Sequence, residues 1–201
     1  TTDYGVVSLI SLISIAFGGV FSLGTGNSMG ILYFREQDQR KRPTIIWSNV
    51  SLMALNGAGL FLVMFLLAPM LSLLVFESDS YAGLVQLSLL GLLFTTITEP
   101  FLAYLRMEEK AKQYVILTLL SSLFTIGLSI WLVLFKQVGV FGVIFAGTFS
   151  QGVMLLISFF IVGRKLTFGI DISLYAQLAR IGFPSIFGLF AFLLIDYADR
   201  Q

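Results

Sequence analysis

Five apolar runs, each long enough to cross a lipid bilayer, follow one another along this chain and constrain its fold more than any other feature. A helix needs about 20 apolar residues to cross roughly 30 Å of hydrocarbon. A sixth run begins at residue 181 and continues to the last residue. The connections are short, which predicts that successive helices are antiparallel neighbours. The predicted spans are residues 5–34, 44–76, 82–105, 114–135 and 138–162.

The composition agrees with lipid as the surrounding solvent. The chain is 57% hydrophobic and 11% charged, whereas soluble domains are about half apolar and about a quarter charged. The predicted fold class is therefore an all-α, polytopic transmembrane helical bundle with five complete spans and the start of a sixth. A net charge of +1 gives no field that would attract nucleic acid. Because Cys and His are absent, disulfides, Cys/His metal sites and His general bases are excluded.

The basic residues predict the orientation of the spans. Ten of the twelve Lys and Arg residues lie in alternate connections, and the positive-inside rule places such connections in the cytoplasm. The predicted protein is thus a multi-pass protein of the inner membrane. Residues 35–42, 106–113 and 163–180 are predicted to be cytoplasmic, and residues 77–81 and 136–139 external.

The connection over residues 163–180 differs from the others because it is longer and has apolar residues at helical spacing. Asp171 or Ser173 could cap a helix there. We expect a short amphipathic helix on the cytoplasmic surface that links two bundles. The predicted domains are therefore residues 1–163, most of a first bundle; 164–180, the linker; and 181–201, the start of a second bundle.

Glu99 is the first candidate functional residue, because an ionisable side chain inside a span is costly unless it is paired or wetted. It lies seven residues before Arg106, about 10 Å along the helix from the cytoplasmic end. The adjacent Pro100 removes a backbone hydrogen bond and bends the helix. Glu99 either faces the bundle interior, where it could hold a proton or cation, or reaches the cytoplasmic interface beside a packing kink.

A second cluster of charges follows the sixth run. The apolar stretch of residues 181–195 has fifteen residues, about 22 Å of helix, which is too short for a crossing. Either the helix continues and holds Asp196, Asp199 and Arg200 inside the membrane, or these residues form a solvated external loop. Asp196 and Arg200 are four apart and can pair on one helix face.

Other polar or aromatic residues within or beside the spans have more than one interpretation. Asn27 lies in a glycine-rich segment that permits close helix packing or a backbone break. Arg35 could contact a phosphate, although membrane topology alone accounts for it. Trp47 and Trp131 lie near opposite ends of their spans, which favours interface anchors over sugar-stacking platforms.

The order of several short motifs resembles the polysaccharide-transporter family, the O-antigen and capsule type of oligosaccharide flippase. Its superfamily also holds multidrug/cation antiporters and lipid II flippases. The resemblance covers nearly the whole chain, with one departure: members often carry an Arg just before the aromatic pair Tyr33-Phe34, where this chain has Ile31 and Leu32. The motifs are Asp3-Tyr4-Gly5, Ser22-Leu-Gly-Thr-Gly, Tyr33-Phe34-Arg35-Glu36, Leu105-Arg106 through Tyr114, Val138-Gly-Val-Phe-Gly142, Ile181-Gly-Phe-Pro184 and Asp199-Arg200.

The resemblance implies a part of a two-bundle transporter, with a helix before Thr1 and the complete spans as helices two to six. It places Asp199 and Arg200 in a central cavity. The implied function is translocation of a polyprenyl-diphosphate-linked oligosaccharide by alternating access, without covalent chemistry and hence not as an enzyme. No cofactor is expected beyond a coupling Na⁺ or H⁺. The expected partners are the lipid-linked oligosaccharide, membrane lipids, a glycan polymerase and glycosyltransferases.

Two other functions stay open on the sequence alone. A multidrug/cation antiporter has the same fold and also uses buried acids. A membrane-embedded glycan polymerase or glycosyltransferase would need a catalytic acid or base on a large external loop, and the predicted external connections are short.

Overall fold

The computed structural model describes the backbone of residues 2–198 and the side chains of residues 5–188. It is all-helical over this range, which confirms the predicted fold class. A 3₁₀ turn, Asp79–Tyr81, precedes α4, a π-helical turn, Trp131–Phe135, extends α5, and a second 3₁₀ turn, Gly163–Lys165, follows α6. The helices are α1 (Thr2–Phe21), α2 (Thr25–Arg35), α3 (Arg42–Phe76), α4 (Ala82–Met107), α5 (Ala111–Ile130), α6 (Val140–Ile161) and α7 (Ser173–Ala198).

Five helical segments of the described chain are long and apolar enough to cross a membrane. Their number matches the prediction, and α4, α5 and α6 lie within a few residues of the predicted spans. The molecule is therefore a multi-pass membrane protein. α3 is the longest helix at 35 residues, about 52 Å, so it must tilt or extend beyond the bilayer.

The first predicted span is two helices rather than one. α1 ends at Phe21 and α2 begins at Thr25, because Leu23 and Gly24 both adopt left-handed backbone conformations with φ of 51° and 62°. A left-handed residue ends an α-helix. The residues around the break are small or uncharged, such as Ser22 and Thr25, which is why hydropathy alone joined the two halves.

The predicted linker also differs from the observed chain. After the 3₁₀ turn the chain is extended, and α7 begins at Ser173 and continues without interruption through Pro184 to Ala198. The amphipathic segment and the start of the sixth run thus form one helix, which passes through Arg180 and Ile181 without a break. Two hydrogen bonds fix the beginning of α7 on α3. The Asp171 amide donates to Ser48 Oγ at 2.9 Å, and the Ser51 and Tyr175 hydroxyls share a bond of 2.6 Å.

Small residues bring α4 and α6 close together. A Cβ on Gly91 would lie 2.9 Å from Thr148 Oγ1, and that hydroxyl donates to the Leu87 carbonyl at 2.9 Å. Similarly, the Phe94 ring packs against Gly152, where an added Cβ would lie 3.2 Å from it. Glycine at such contacts lets helix backbones approach closely inside a membrane. By contrast, α5 exposes most of its surface, as expected of a helix that faces lipid.

Trp47 belongs to the core, so its interpretation as an interface anchor was wrong. It is 8% exposed, and its ring makes edge contacts with Phe101, Phe159 and Phe168 at centroid distances of 5.1–6.0 Å. Trp131 is 48% exposed with the Lys136 ammonium 5.4 Å from its ring centroid, as an interface position allows.

Contacts between the loops bring the three basic connections to one end of the bundle, called here the basic end. Tyr33 bonds to Glu108, and Gly169 lies against Thr44.

We expect a single cysteine at position 79, but not one at position 40, to react with a membrane-impermeant thiol reagent added to intact cells, because the basic end should be cytoplasmic. The chain has no native cysteine to interfere. Labelling at position 40 but not at position 79 would contradict the predicted orientation.

Candidate functional site

A groove of about 440 Å³ runs between α2 and α4 toward the basic end. We call it the α2–α4 groove. Two of its positions, Gly26 and Gly30, leave the α2 backbone uncovered: a Cβ on Gly26 would meet nothing within 4 Å, and one on Gly30 only Met107 Sδ at 3.9 Å. Its lining is Gly26, Asn27, Gly30, Ile31 and Phe34 from α2, and Ala103, Arg106 and Met107 from α4.

Arg106 is the charged residue of this groove, and it pairs with Glu99. Arg106 Nη2 donates to Glu99 Oε1 along the same helix. Helical side chains lean toward the N-terminus of their helix, so Arg106, near the end of α4, leans into the membrane rather than out of it. The two side chains remain about half-exposed, 50% for Arg106 and 40% for Glu99. The pair therefore borders open space rather than a closed core.

An ion pair at this depth limits what can lie beside it. Glu99 lies seven residues into the helix from Arg106, about 10 Å. Ionised side chains inside a membrane protein face the bundle interior or a water-filled cavity, because lipid does not solvate them. The α2–α4 groove consequently must be wetted or be covered by polar groups. Asn27 is exposed on the same surface and adds an uncharged donor and acceptor.

A polar network at the basic end ties α2, α3 and α4 together. The Tyr33 hydroxyl donates to Glu108 Oε1, and Lys110 Nζ donates to the Tyr104 hydroxyl at 3.0 Å. The Arg42 guanidinium lies 5.0 Å from the Tyr33 ring centroid, a cation–π contact. The hydrogen bond that Lys110 donates to Tyr104 and the charge of Glu108 raise the pKa of Lys110 despite partial burial. Lys110 therefore stays charged, and the network persists at neutral pH.

Arg35 lies in a different place. It lines a crevice of about 480 Å³ between α2, α3 and α7, together with Lys41, Glu36 and Asp171. Asp171 caps α7 by accepting from the Ser173 amide at 2.9 Å and its hydroxyl at 2.6 Å. These bonds lower the pKa of Asp171, so its charge offsets the neighbouring cations. The structure thus places Arg35 in a different cavity from Asn27, which lines the α2–α4 groove together with Arg106, the partner of Glu99.

The second predicted charge cluster is described only in part. α7 is still helical at Asp196, so the backbone there is not a loop. Asp199 and Arg200 lie outside the described residues. Within residues 5–188, no three acidic side chains come together as a metal-binding group. The coupling cation consequently stays a prediction without a defined site.

Two residues that matter to this region were missed from the sequence. Arg106 was assigned only to topology, although its seven-residue spacing from Glu99 places both on one helix face. Asn56 was overlooked as one amide in an apolar run. Its Nδ2 donates to the Val20 and Phe21 carbonyls at 3.0 and 2.8 Å. A polar amide inside a span is itself a signal of interhelical hydrogen bonding.

Comparison with known protein families decides the wider identity. A family model described as polysaccharide biosynthesis protein matches residues 1–200. The chain belongs to this family. Comparisons with curated proteins and with solved structures gave no match. Membership agrees with the resemblance inferred from the motifs and assigns this membrane protein to polysaccharide biosynthesis.

In this polysaccharide biosynthesis protein, Ile31 and Leu32 stand where the resemblance leads one to expect an arginine, and the structure shows what lies around them. Ile31 lines the α2–α4 groove, and Leu32 lines the crevice with Arg35. Neither carries the arginine that the resemblance leads one to expect. Arg106, however, reaches the groove from α4 and faces the same space as Ile31. The groove thus contains a guanidinium although α2 does not supply one.

Proposed function

We propose that this protein is a flippase that moves a polyprenyl-diphosphate-linked oligosaccharide from the cytoplasmic to the external leaflet of the inner membrane. The observation that carries the proposal is the Arg106–Glu99 pair on the α2–α4 groove. A guanidinium matches the two-oxygen geometry of a phosphate. Family membership supplies the glycan, since it links the chain to polysaccharide biosynthesis.

The basic end is the cytoplasmic end in this proposal, which is where a lipid-linked precursor would be loaded. The glycine positions of α2 leave room for a bulky headgroup beside Arg106. The substrate diphosphate competes with Glu99 for the guanidinium, because both are anionic partners of the same group. Binding therefore releases Glu99 as a free carboxylate.

A released carboxylate inside the membrane provides the coupling step. An unpaired carboxylate at this depth is costly, so Glu99 takes up a proton or Na⁺ when Arg106 turns to the substrate. When Glu99 loses that cation, it regains Arg106 and displaces the diphosphate. In this cycle Arg106 exchanges one anionic partner for another, and no covalent bond is made or broken. We therefore propose a transporter and not an enzyme, with no organic cofactor. We propose that glycosyltransferases act before this step and that a glycan polymerase acts after it.

The test is to delete the gene and locate the lipid-linked oligosaccharide. We expect loss of surface glycan and accumulation of single oligosaccharide units in the cytoplasmic leaflet, where an impermeant lectin added to spheroplasts does not reach them. Single units accumulating in the external leaflet would instead indicate a polymerase. Unchanged glycan with increased sensitivity to cationic drugs would indicate an antiporter.

A further inference from the structure

A break between two helices lies against a point where a third helix is weakened. The break is between α1 and α2 at Leu23 and Gly24, whose φ angles are 51° and 62°. The weakened point is in α7, which is continuous there but contains Pro184 two residues after Gly182. Proline supplies no amide hydrogen for the carbonyl four residues earlier, so a helix bends easily there.

The contact between the break and α7 is made mainly by backbone atoms, with Ser185 Cβ 3.2 Å from a Cβ placed on Gly24. A Cβ placed on Gly24 would lie 2.2 Å from the Gly182 carbonyl oxygen, and a Cβ placed on Gly182 would lie 2.6 Å from the Leu23 carbonyl oxygen. Each glycine therefore directs a Cα hydrogen at the carbonyl of the other segment, a weak but recurrent helix–helix contact. Since the closest contacts here are between backbone atoms, α7 can tilt at this point with little rearrangement of side chains.

The break keeps its shape without help from α7. Asn56 on α3 donates to the Val20 and Phe21 carbonyls. The remaining carbonyls accept hydrogen bonds from groups within the break. The Gly18 carbonyl accepts from the Ser22 amide, and the Gly19 carbonyl accepts from the Ser22 hydroxyl and the Gly24 amide. The Ser22 carbonyl accepts from Thr25. All carbonyls from Gly18 to Ser22 thus have donors, and α7 can move without exposing an unpaired backbone group to lipid.

The start of α7 does not share this freedom. Asp171 and Tyr175 are hydrogen-bonded to Ser48 and Ser51 of α3. Gly182 lies seven residues after Tyr175, about 10 Å farther along the helix. The helix is therefore anchored at the basic end, contacts backbone at Gly182, and bends most easily between Arg180 and Pro184, where one backbone hydrogen bond cannot form.

We propose that Leu23, Gly24 and Gly182 form a pivot on which the part of α7 beyond Pro184 swings, and that Asn56 is the positioning residue that holds the α1–α2 break in shape during this motion. The need for such a swing rests on the proposed function, because alternating access moves one bundle against the other. The pivot itself is defined by the backbone contact and is measurable without any transport assay.

The experiment uses spin labels on the cysteine-free full protein in lipid nanodiscs, at Leu66→Cys on α3 and Phe187→Cys on α7, both exposed positions. We expect two distance populations, whose ratio shifts when a polyprenyl diphosphate is added. Gly182→Ala should reduce the minor population more than tenfold, because its Cβ cannot fit against Leu23. Gly188→Ala, on the same helix with nothing within 4 Å of an added Cβ, should keep both populations.

Asn56→Ala should change the population ratio about fivefold, the effect of one lost hydrogen bond, and Asn56→Gln should restore part of it by replacing the amide. Should Gly182→Ala fold poorly, Pro184→Ala tests the same pivot, since it adds no bulk at the contact and restores the backbone hydrogen bond that proline cannot make; it should also deplete one population. Two unchanged populations in Gly182→Ala or in Pro184→Ala, or a single population in the wild type with and without lipid, would overturn the pivot. If the populations respond as expected while lipid-linked glycan is not translocated, the pivot stands and the proposed function fails.

Discussion

Arg106→Ala should reduce export of surface glycan roughly ten- to hundredfold at unchanged protein level, which corresponds to loss of one or two charge-assisted hydrogen bonds. Arg106 is the cation of the α2–α4 groove, and its removal leaves the substrate diphosphate without a partner and Glu99 unpaired. The measurement is complementation of the deletion strain, with glycan quantified on the cell surface and protein quantified in the membrane.

Matched variants separate this role from the general requirement for basic loops. Arg164→Ala removes the same charge from the same end of the bundle, but Arg164 lies over the Phe160 ring and outside the groove. It should export glycan normally. Arg106→Lys should restore export only in part, because lysine makes no two-pronged contact with phosphate. Equal loss in Arg106→Ala and Arg164→Ala would show that only loop charge matters.

Glu99 should also be required for glycan export, because it releases the substrate whereas Arg106 binds it. Glu99→Gln removes the competitor that displaces the diphosphate from Arg106, so binding should persist while turnover falls. Glu99→Leu should behave likewise in transport. Normal glycan export by the Glu99→Leu variant would exclude the proposed exchange of partners.

The largest expected effect on stability comes from Trp47→Ala. Truncation of a buried aromatic residue costs about 3 kcal/mol or more, and Trp47 packs between α4, α6 and the chain after α6 through Phe101, Phe159 and Phe168. We expect its midpoint of thermal unfolding in detergent to fall by several degrees, in line with the usual relation between stability and midpoint. Loss of packing is the reason, because association of helices in lipid depends on packing rather than on expulsion of water.

Trp131→Ala is the control for this prediction, because it removes the same side chain from an exposed position. Its unfolding midpoint should change little. Similar losses in both variants would mean that Trp47 stabilises the protein as a membrane-interface residue and not as part of the core.

The sequence predicted the class of fold and the spans well, because each depends on local hydrophobicity. The boundaries of α4, α5 and α6 are set where charged residues and turns end an apolar run. A backbone break in the glycine-rich segment was one of two interpretations, and the sequence alone could not choose it over close helix packing, since Leu23 is apolar and Asn56, which binds the carbonyls of α1, lies 33 residues later. Such a contact is absent from any local pattern.

The candidate site shows the same division. Glu99 could be recognised from the sequence because a carboxylate in a span is unusual. Its partner Arg106 could not, because arginines next to a membrane look alike whether they lean outward or inward. The separation of Arg35 from the groove follows from the end of α2 and the path of α7, which are tertiary features. The roles predicted for Asp196, Asp199 and Arg200 stay predictions.

The most direct test of the central claim is the accessibility of the α2–α4 groove at Asn27. An Asn27→Cys variant in inverted membrane vesicles should react with a membrane-impermeant thiol reagent at the exposed cytoplasmic face. Addition of a polyprenyl-diphosphate-linked oligosaccharide should slow that reaction, and the Arg106→Ala change should abolish the protection. Leu123→Cys, on the outer face of α5 where the side chain is 67% exposed, gives the rate for a lipid-facing position. Labelling of Asn27→Cys at this lipid-facing rate, with no protection by the substrate, would contradict a wetted groove that binds the diphosphate.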